Sequence, residues 1–201
     1  GVFIERPNRF IAHCEIDGKT EVCHVKNTGR CRELLIPGCR IVLEKSDNPN
    51  RKTAFDLIAV YKGDVLFNID SQAPNKVVYE WLKNFDEIDY IKPEYKFENS
   101  RFDFYLETRD KKVFMEVKGV TLEKDGRLLF PDAPTERGVK HIKELIRAKE
   151  MGFGAAIVFV VQAELEGSVS PNRSTHPEFA DSLVCAQRAG VKIICVNCKV
   201  Q

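Results

Sequence analysis

The 201-residue chain has no apolar run long enough to cross a bilayer, which excludes a spanning helix within it. Its first residues, Gly1-Val2-Phe3-Ile4-Glu5-Arg6, have no signal-peptide layout. Neither charge is in excess: 31 Lys and Arg face 30 Asp and Glu, for a net charge of +1. Global charge therefore gives no support for nucleic-acid binding, and any basic surface must be local. There is no even set of cysteines: seven occur in a chain with ample core, which argues for reduced thiols in a cytoplasm over a disulfide framework. Cys195-Val-Asn-Cys198 has no second pair at zinc-finger spacing, so it reads as strand and terminal cysteines. No internal repeat or low-complexity tract is present.

What is there is enough apolar sequence, 43%, for one large domain or two small ones. From Val2 to about Asp70 the chain breaks into short strand-like pieces: Phe3–Ile4, Arg9–Ile16, Thr20–Val25, Arg40–Lys45, Thr53–Tyr61 and Asp64–Ile69. Turn signals such as Asp17-Gly18, Asn27-Thr28-Gly29 and Pro37-Gly38 separate them. This spacing predicts a small barrel of the oligonucleotide-binding (OB) type over residues 1–70, with a short helix at Arg32–Leu35. The polar connector Ser71–Pro74 marks the boundary with residues 71–201. There the pattern predicts a helix over Asn75–Phe85 capped by Asn75, and a strand over Tyr90–Phe97. A hairpin follows, then a helix from Thr135 to about Met151, a fully buried strand over Ala155–Val161, a helix over Glu178–Ala189 and a last strand. The sum is a mixed sheet with helices on both faces, an α/β domain behind an all-β one.

The hairpin carries the chemistry. Arg101–Glu107 and Val113–Val120 alternate in polarity around a charged turn. One antiparallel register pairs Phe102 with Val117, Phe104 with Met115 and Leu106 with Val113 on an apolar face. The same register sets Asp103 opposite Glu116, beside Lys118, on a polar face. Two carboxylates that close repel unless a cation sits between them, and oxygen ligands suit Mg2+ or Mn2+. A lysine on the same face can hold the attacking water or stabilise charge on a phosphate. Asp103, Glu116 and the backbone carbonyl of Val117 are the expected metal ligands, with Glu94 as a third carboxylate from the preceding strand.

Two basic stretches complete the reading. Cys23–Lys52 holds Lys26, Arg30, Arg32, Arg40, Lys45, Arg51 and Lys52 against three acids, much of it in loops that can hold phosphates. Lys26, Asn27, Arg30, Arg51 and Lys52 are the expected nucleic-acid contacts here. Thr135-Glu136-Arg137-Gly138-Val139-Lys140-His141 opens a helix behind a proline-built loop, and a basic helix N-terminus favours phosphate, so Arg137, Lys140 and His141 join them.

Asp103, twelve residues and Glu116-x-Lys118 on a hairpin resemble the core motif of the PD-(D/E)xK nuclease superfamily. Nearly the whole chain resembles the sugar fermentation stimulation protein A family. The resemblance rests on His24-Val-Lys-Asn-Thr-Gly-Arg30, Asp47-Asn48 with Arg51-Lys52, Ser100-Arg-Phe-Asp103, Glu116-Val-Lys118-x-Val120-Thr121 and Phe130-Pro-Asp-Ala-x-Thr-Glu-Arg-Gly-x-Lys-His141. It implies an OB-like domain joined to a nuclease-like domain, DNA binding, and an association with sugar (maltose) metabolism. The family pattern differs in having Cys-Pro at Val25-Lys26 and often Ser at Gly119.

Two functions follow: a Mg2+-dependent nuclease, or a DNA-binding regulator that kept the scaffold without cleaving. The intact acid–acid–lysine set favours the first, since a binding surface gains nothing from carboxylates facing phosphate. A homodimer stays open, because cutting a duplex needs two sites.

Overall fold

A computed structural model describes residues 1–27 and 29–201; Thr28, inside the expected Asn27–Gly29 turn, lies outside the described residues. The first domain has six strands: β1 (Val2–Asn8), β2 (Ile11–Ile16), β3 (Lys19–Val25), β4 (Ile41–Lys45), β5 (Phe55–Lys62) and β6 (Val65–Asn68). They form one curled sheet in the order β1-β2-β3-β5-β4, with β6 also on β5. The sheet is not a closed barrel. Its ends meet at the Val2–Arg40 bridge and through Phe3, whose N–H donates to the Cys39 carbonyl at 3.0 Å. Phe3, Cys14, Cys23, Val25, Leu57 and Phe67 fill the interior, so three of the seven cysteines expected as core or strand residues, with Cys31, are buried; all seven are free. Arg32–Leu35 is a turn, not a helix, held by the Leu35 N–H on the Cys31 carbonyl at 2.9 Å. The five residues between the buried Cys31 and Pro37 leave room for little beyond one turn, and Pro37 has no N–H to continue it.

The second domain is built on α1 (Ala73–Leu82), β7 (Ile88–Phe97), β8 (Ser100–Thr108) and β9 (Lys112–Val120), followed by α2 (Glu136–Glu150), β12 (Gly154–Val161), α3 (Pro177–Arg188) and β14 (Lys192–Asn197). Its main sheet runs β14-β12-β9-β8-β7, antiparallel through β7, β8 and β9 and parallel through β9, β12 and β14. A small second sheet joins β10 (Leu122–Lys124), β11 (Arg127–Phe130) and β13 (Val169–Pro171). Strands β10 and β11 form a second hairpin. Its tip, Asp125-Gly126, has φ of 53° and 75°, the left-handed pair a two-residue hairpin turn needs.

The apolar run of β12 is buried on both sides. Ala155, Ile157, Phe159 and Val161 pack under α2 and α3; Ala156, Val158 and Val160 pack under α1. Helix α2 starts where Thr135 caps it, its hydroxyl accepting from the Gly138 N–H at 3.1 Å, with Glu136 in the first turn and Arg147 and Lys149 in the last. Gly138 lets α2 approach α3: a Cβ there would lie 3.1 Å from the Phe179 ring. No helix is long and apolar enough to cross a membrane among the described residues.

The domains are stitched together by side chains. Lys62 donates to the Glu123 carbonyl at 2.8 Å and pairs with its carboxylate. Gln162, after β12, donates to Asn68 and to the Asp70 carbonyl. The Arg30 N–H donates to Asp132 at 2.8 Å.

Candidate functional site

Strands β8 and β9 pair as Phe104–Met115, Tyr105–Phe114 and Leu106–Val113, the register read from the alternation, around a turn at Arg109 and Asp110. The ladder stops at Phe104–Met115. Beyond it the strands part, and the Asp103 carboxylate takes the place of a backbone acceptor, receiving the Val117 N–H at 2.7 Å. The parting carries Phe102 out of the alternation: it packs with Tyr105 and Phe114 under α2, not with Phe104 under α1. The face read as polar is therefore mostly buried, because α2 lies across it. Only the acids and Lys118, where the strands split, remain chemistry rather than core.

Glu116 is 2% exposed. One of its oxygens accepts from Lys118 Nζ at 2.5 Å and from His141 Nδ1 on α2. His141 Nε2 accepts from Arg137 Nε at 3.3 Å. A ring nitrogen that accepts from a guanidinium carries no proton, so the proton sits on Nδ1 and is given to Glu116. The second Glu116 oxygen is buried and has no partner among the described residues. Asp103 is held from the other side by Asn75 on α1, which donates to Oδ1 at 2.8 Å.

The two carboxylates are driven apart. Burial and the Glu116 charge raise the Asp103 carboxyl above its ordinary value, against the Val117 N–H and Lys118. Burial also pushes Glu116 upward, but the His141 hydrogen bond and the Lys118 charge outweigh it and hold Glu116 below its ordinary value.

Several expected residues stand elsewhere. Glu94 is exposed and paired with Arg101 at 3.3 Å, so it is not brought to the other acids. Its φ of 51° puts a left-handed residue in β7 between the Pro93–Phe104 and Tyr95–Phe102 pairs, opposite Asp103. Asn75 is not a helix cap: α1 starts two residues earlier, with Pro74 in its first turn, which frees the Asn75 amide for Asp103. Among the expected nucleic-acid residues near the α2 N-terminus, His141 is buried on Glu116, while Arg137 and Lys140, which donates to the Asn99 carbonyl at 3.0 Å, are exposed.

The barrel loops differ more. Asp56 on β5 is buried and was not singled out by the sequence. Arg51 grips it with two nitrogens, at 2.5 and 2.8 Å; Lys26 reaches it at 2.8 Å and His24 at 3.1 Å. Lys26 and Arg51 are thus spent on a buried aspartate, whose carboxyl the Arg51, Lys26 and His24 contacts hold far below the usual range. Asn27 is also structural: its amide donates to the Ile69 carbonyl at 2.9 Å and its oxygen accepts from Gly29 N–H at 2.7 Å. Arg30 and Lys52 stay exposed. Arg6, also missed, donates to the carbonyls of Arg9, Asn27, Gly29 and Arg30 and so sets the shape of that loop.

A second group, Glu136, His176 and Glu178, brings three ligand atoms within 4.8 Å of one another. His176 Nδ1 already accepts the Thr135 N–H at 3.1 Å, so its proton sits on Nε2, the atom turned to Glu136. Glu178 is held by Lys143 at 2.9 Å. This arrangement serves helix starts better than a metal.

Comparison with known proteins settles the family. Residues 4–69 match the model described as SfsA N-terminal OB domain, and residues 72–201 the model described as Sugar fermentation stimulation protein RE domain. The chain belongs to the SfsA family. A Ruminiclostridium cellulolyticum protein called "Sugar fermentation stimulation protein homolog" is 57% identical over 204 residues, covering 100% of this chain and 90% of the relative. A Clostridium beijerinckii homolog is likewise 57% identical, over 203 residues and the same shares. The solved structure of Pyrococcus furiosus SfsA in complex with Ca2+ matches with a TM-score of 0.89 at 29% identity, over 100% of this chain and 88% of that one. The architecture is therefore an OB domain over residues 4–69 followed by a mixed-sheet domain that matches the family's RE domain over residues 72–201.

Proposed function

We propose that this SfsA chain is a DNA-binding phosphodiesterase of the cytoplasm that uses Mg2+ or Mn2+ at Asp103 and Glu116. The observation that carries the reading is the unpartnered, buried oxygen of Glu116 beside Asp103, at the point where β8 and β9 part. A buried carboxylate oxygen without a donor is costly unless a cation takes it up. The Asp103 oxygens each accept one hydrogen bond and so keep a lone pair for a ligand. The residues fit a hard divalent ion held by Asp103, Glu116 and the Val117 carbonyl, and the Ca2+ complex of the Pyrococcus furiosus relative supports that chemistry. When bound, the ion supplies a Lewis acid that lowers the pKa of its water and neutralises phosphate charge.

The chain's own residues do the rest. Lys118, 16% exposed at its side chain, faces the site and positions the attacking water or holds charge on the phosphate. Arg137, exposed one turn before His141, meets the neighbouring phosphate. His141 and Asn75 orient the two carboxylates. On this reading residues 1–70 guide the nucleic acid, and residues 71–201 cut it. The association with sugar metabolism comes with the relatives' name. A homodimer would supply the second site that a duplex cut requires.

The test is a cleavage assay on single-stranded, duplex and branched DNA and on RNA, with Mg2+, Mn2+ or EDTA. Cleavage that needs metal and drops about 10²- to 10⁴-fold in Lys118→Ala is expected. No cleavage, with salt-dependent gel shifts intact, would favour instead the regulator that binds DNA without cutting it.

A further inference from the structure

Residues outside the acid site form a groove on the first domain, lined by Arg6, Arg9, Arg30 and Arg32 with Glu5 and Pro37, of about 510 Å3. Arg6 is consumed by four backbone carbonyls. Glu5 is paired with His13 at 2.8 Å. Arg9, Arg30 and Arg32 are exposed, and among the described residues none has a carboxylate within ion-pair distance. Three unneutralised guanidiniums in one groove repel each other until an anion enters.

The groove is built rather than incidental. Asn8 accepts from the N–H groups of Phe10 and Ile11 at 2.9 and 3.1 Å, a turn that lifts Arg9 and Phe10 to the tip of the β1–β2 hairpin. Phe10 is 50% exposed, with the Arg9 guanidinium 6.0 Å from its ring centre. An exposed ring beside arginines is a stacking platform beside phosphate donors. The loop bearing Arg30 also touches both segments that carry the acid site. The Lys26 carbonyl accepts from Ser71, at 3.0 Å from its N–H and 2.6 Å from its hydroxyl, just before α1 brings Asn75 to Asp103. The Arg30 N–H meets Asp132, just before α2 brings His141 to Glu116.

We infer that this groove binds the backbone of a single-stranded DNA segment, with phosphates on Arg9, Arg30 and Arg32 and a base stacked on Phe10, and leads it toward Asp103 and Glu116. The inference rests on reading the chain as one that acts on DNA. It moves the contact surface of the first domain from Lys26 and Arg51, which hold Asp56, to arginines on the β1–β2 tip and the segment before Pro37.

The experiment uses the full chain in EDTA with a labelled DNA single strand of about 20 nucleotides, its anisotropy followed across roughly 50 to 300 mM KCl. The double variant Arg9→Gln/Arg32→Gln should bind at least about tenfold more weakly and flatten the log–log salt slope by about 1.4. Phe10→Ala should lose roughly tenfold with the slope unchanged. Arg188→Gln, at the end of α3, should bind like the unmodified chain. Unmodified binding that the double variant retains overturns the groove and leaves the nuclease reading standing. Binding lost in the double variant, with no metal-dependent cleavage by the parent chain, supports the groove and overturns the nuclease. No binding by the parent chain, or a tenfold preference for RNA of the same sequence, overturns the inference. All positions changed are exposed, and an unchanged Tm checks that each variant folds.

Discussion

Replacing His141 with Ala tests whether the acid site is held by α2. His141 is buried and gives its Nδ1 proton to Glu116, while Arg137 fixes the tautomer from Nε2. Its removal leaves Glu116, 2% exposed, with Lys118 as its one remaining donor and its other oxygen still unpartnered. A hydrogen bond to a charged group contributes about 1.5–3 kcal/mol. Most of that is lost here, because water has little access to replace it. At roughly 2–4 °C per kcal/mol for a chain of this size, Tm should fall by about 3–12 °C. A ligand whose orienting partner is lost binds metal about 10- to 100-fold more weakly. Mn2+ titration calorimetry on the variant, with the cleavage rate measured at saturating metal, separates the two effects. His141→Asn, which keeps an N–H donor on the same side, should recover part of the affinity. Mn2+ affinity within twofold of the parent chain would refute the reasoning and reduce His141 to core packing.

Other outcomes follow from the same contacts. Asp56→Asn should cost about 2–3 kcal/mol, since it strands Lys26 and Arg51 around a neutral group, and thermal unfolding would show it. The Asp56 carboxyl is depressed in the fold, so its contribution is complete above the unfolded carboxylate value near 4 and is lost as pH falls through the lower folded value. The gap between parent and Asp56→Asn should therefore narrow steadily as pH drops below about 4, and a constant gap in acid denaturation would count against the ion cluster. Arg51→Ala should lower Tm yet leave DNA affinity unchanged, the opposite of a phosphate contact. Gly119→Ser should destabilise by about 1–3 kcal/mol, because a Cβ there meets the Gln162 amide oxygen and lies 2.9 Å from Pro74. Its Tm equal to the parent's would show that Gln162 can leave the seam between the domains freely.

Alternation and spacing along the chain already contained the main lines. Period-2 patterning gave the β8–β9 register, since a slip by one residue would have turned Met115 and Val113 away from Phe104 and Leu106. The unbroken apolar run marked β12 as buried on both faces, and Thr135 marked the start of α2. Residue type and order placed Asp103, Glu116 and Lys118 together, because a hairpin is local and its geometry follows from its own sequence. What tertiary structure decided is every contact between residues far apart in the chain. Asn75 looked like a cap until the fold put its amide against Asp103, 28 positions away. His141 looked like a phosphate contact until α2 crossed the sheet and buried it on Glu116. Lys26 and Arg51 looked free because Asp56, one acid among thirty, shows its burial only when β5 lies inside the curled sheet. Local preferences are written residue by residue, whereas the partner of a charge depends on which segments the hydrophobic core draws together.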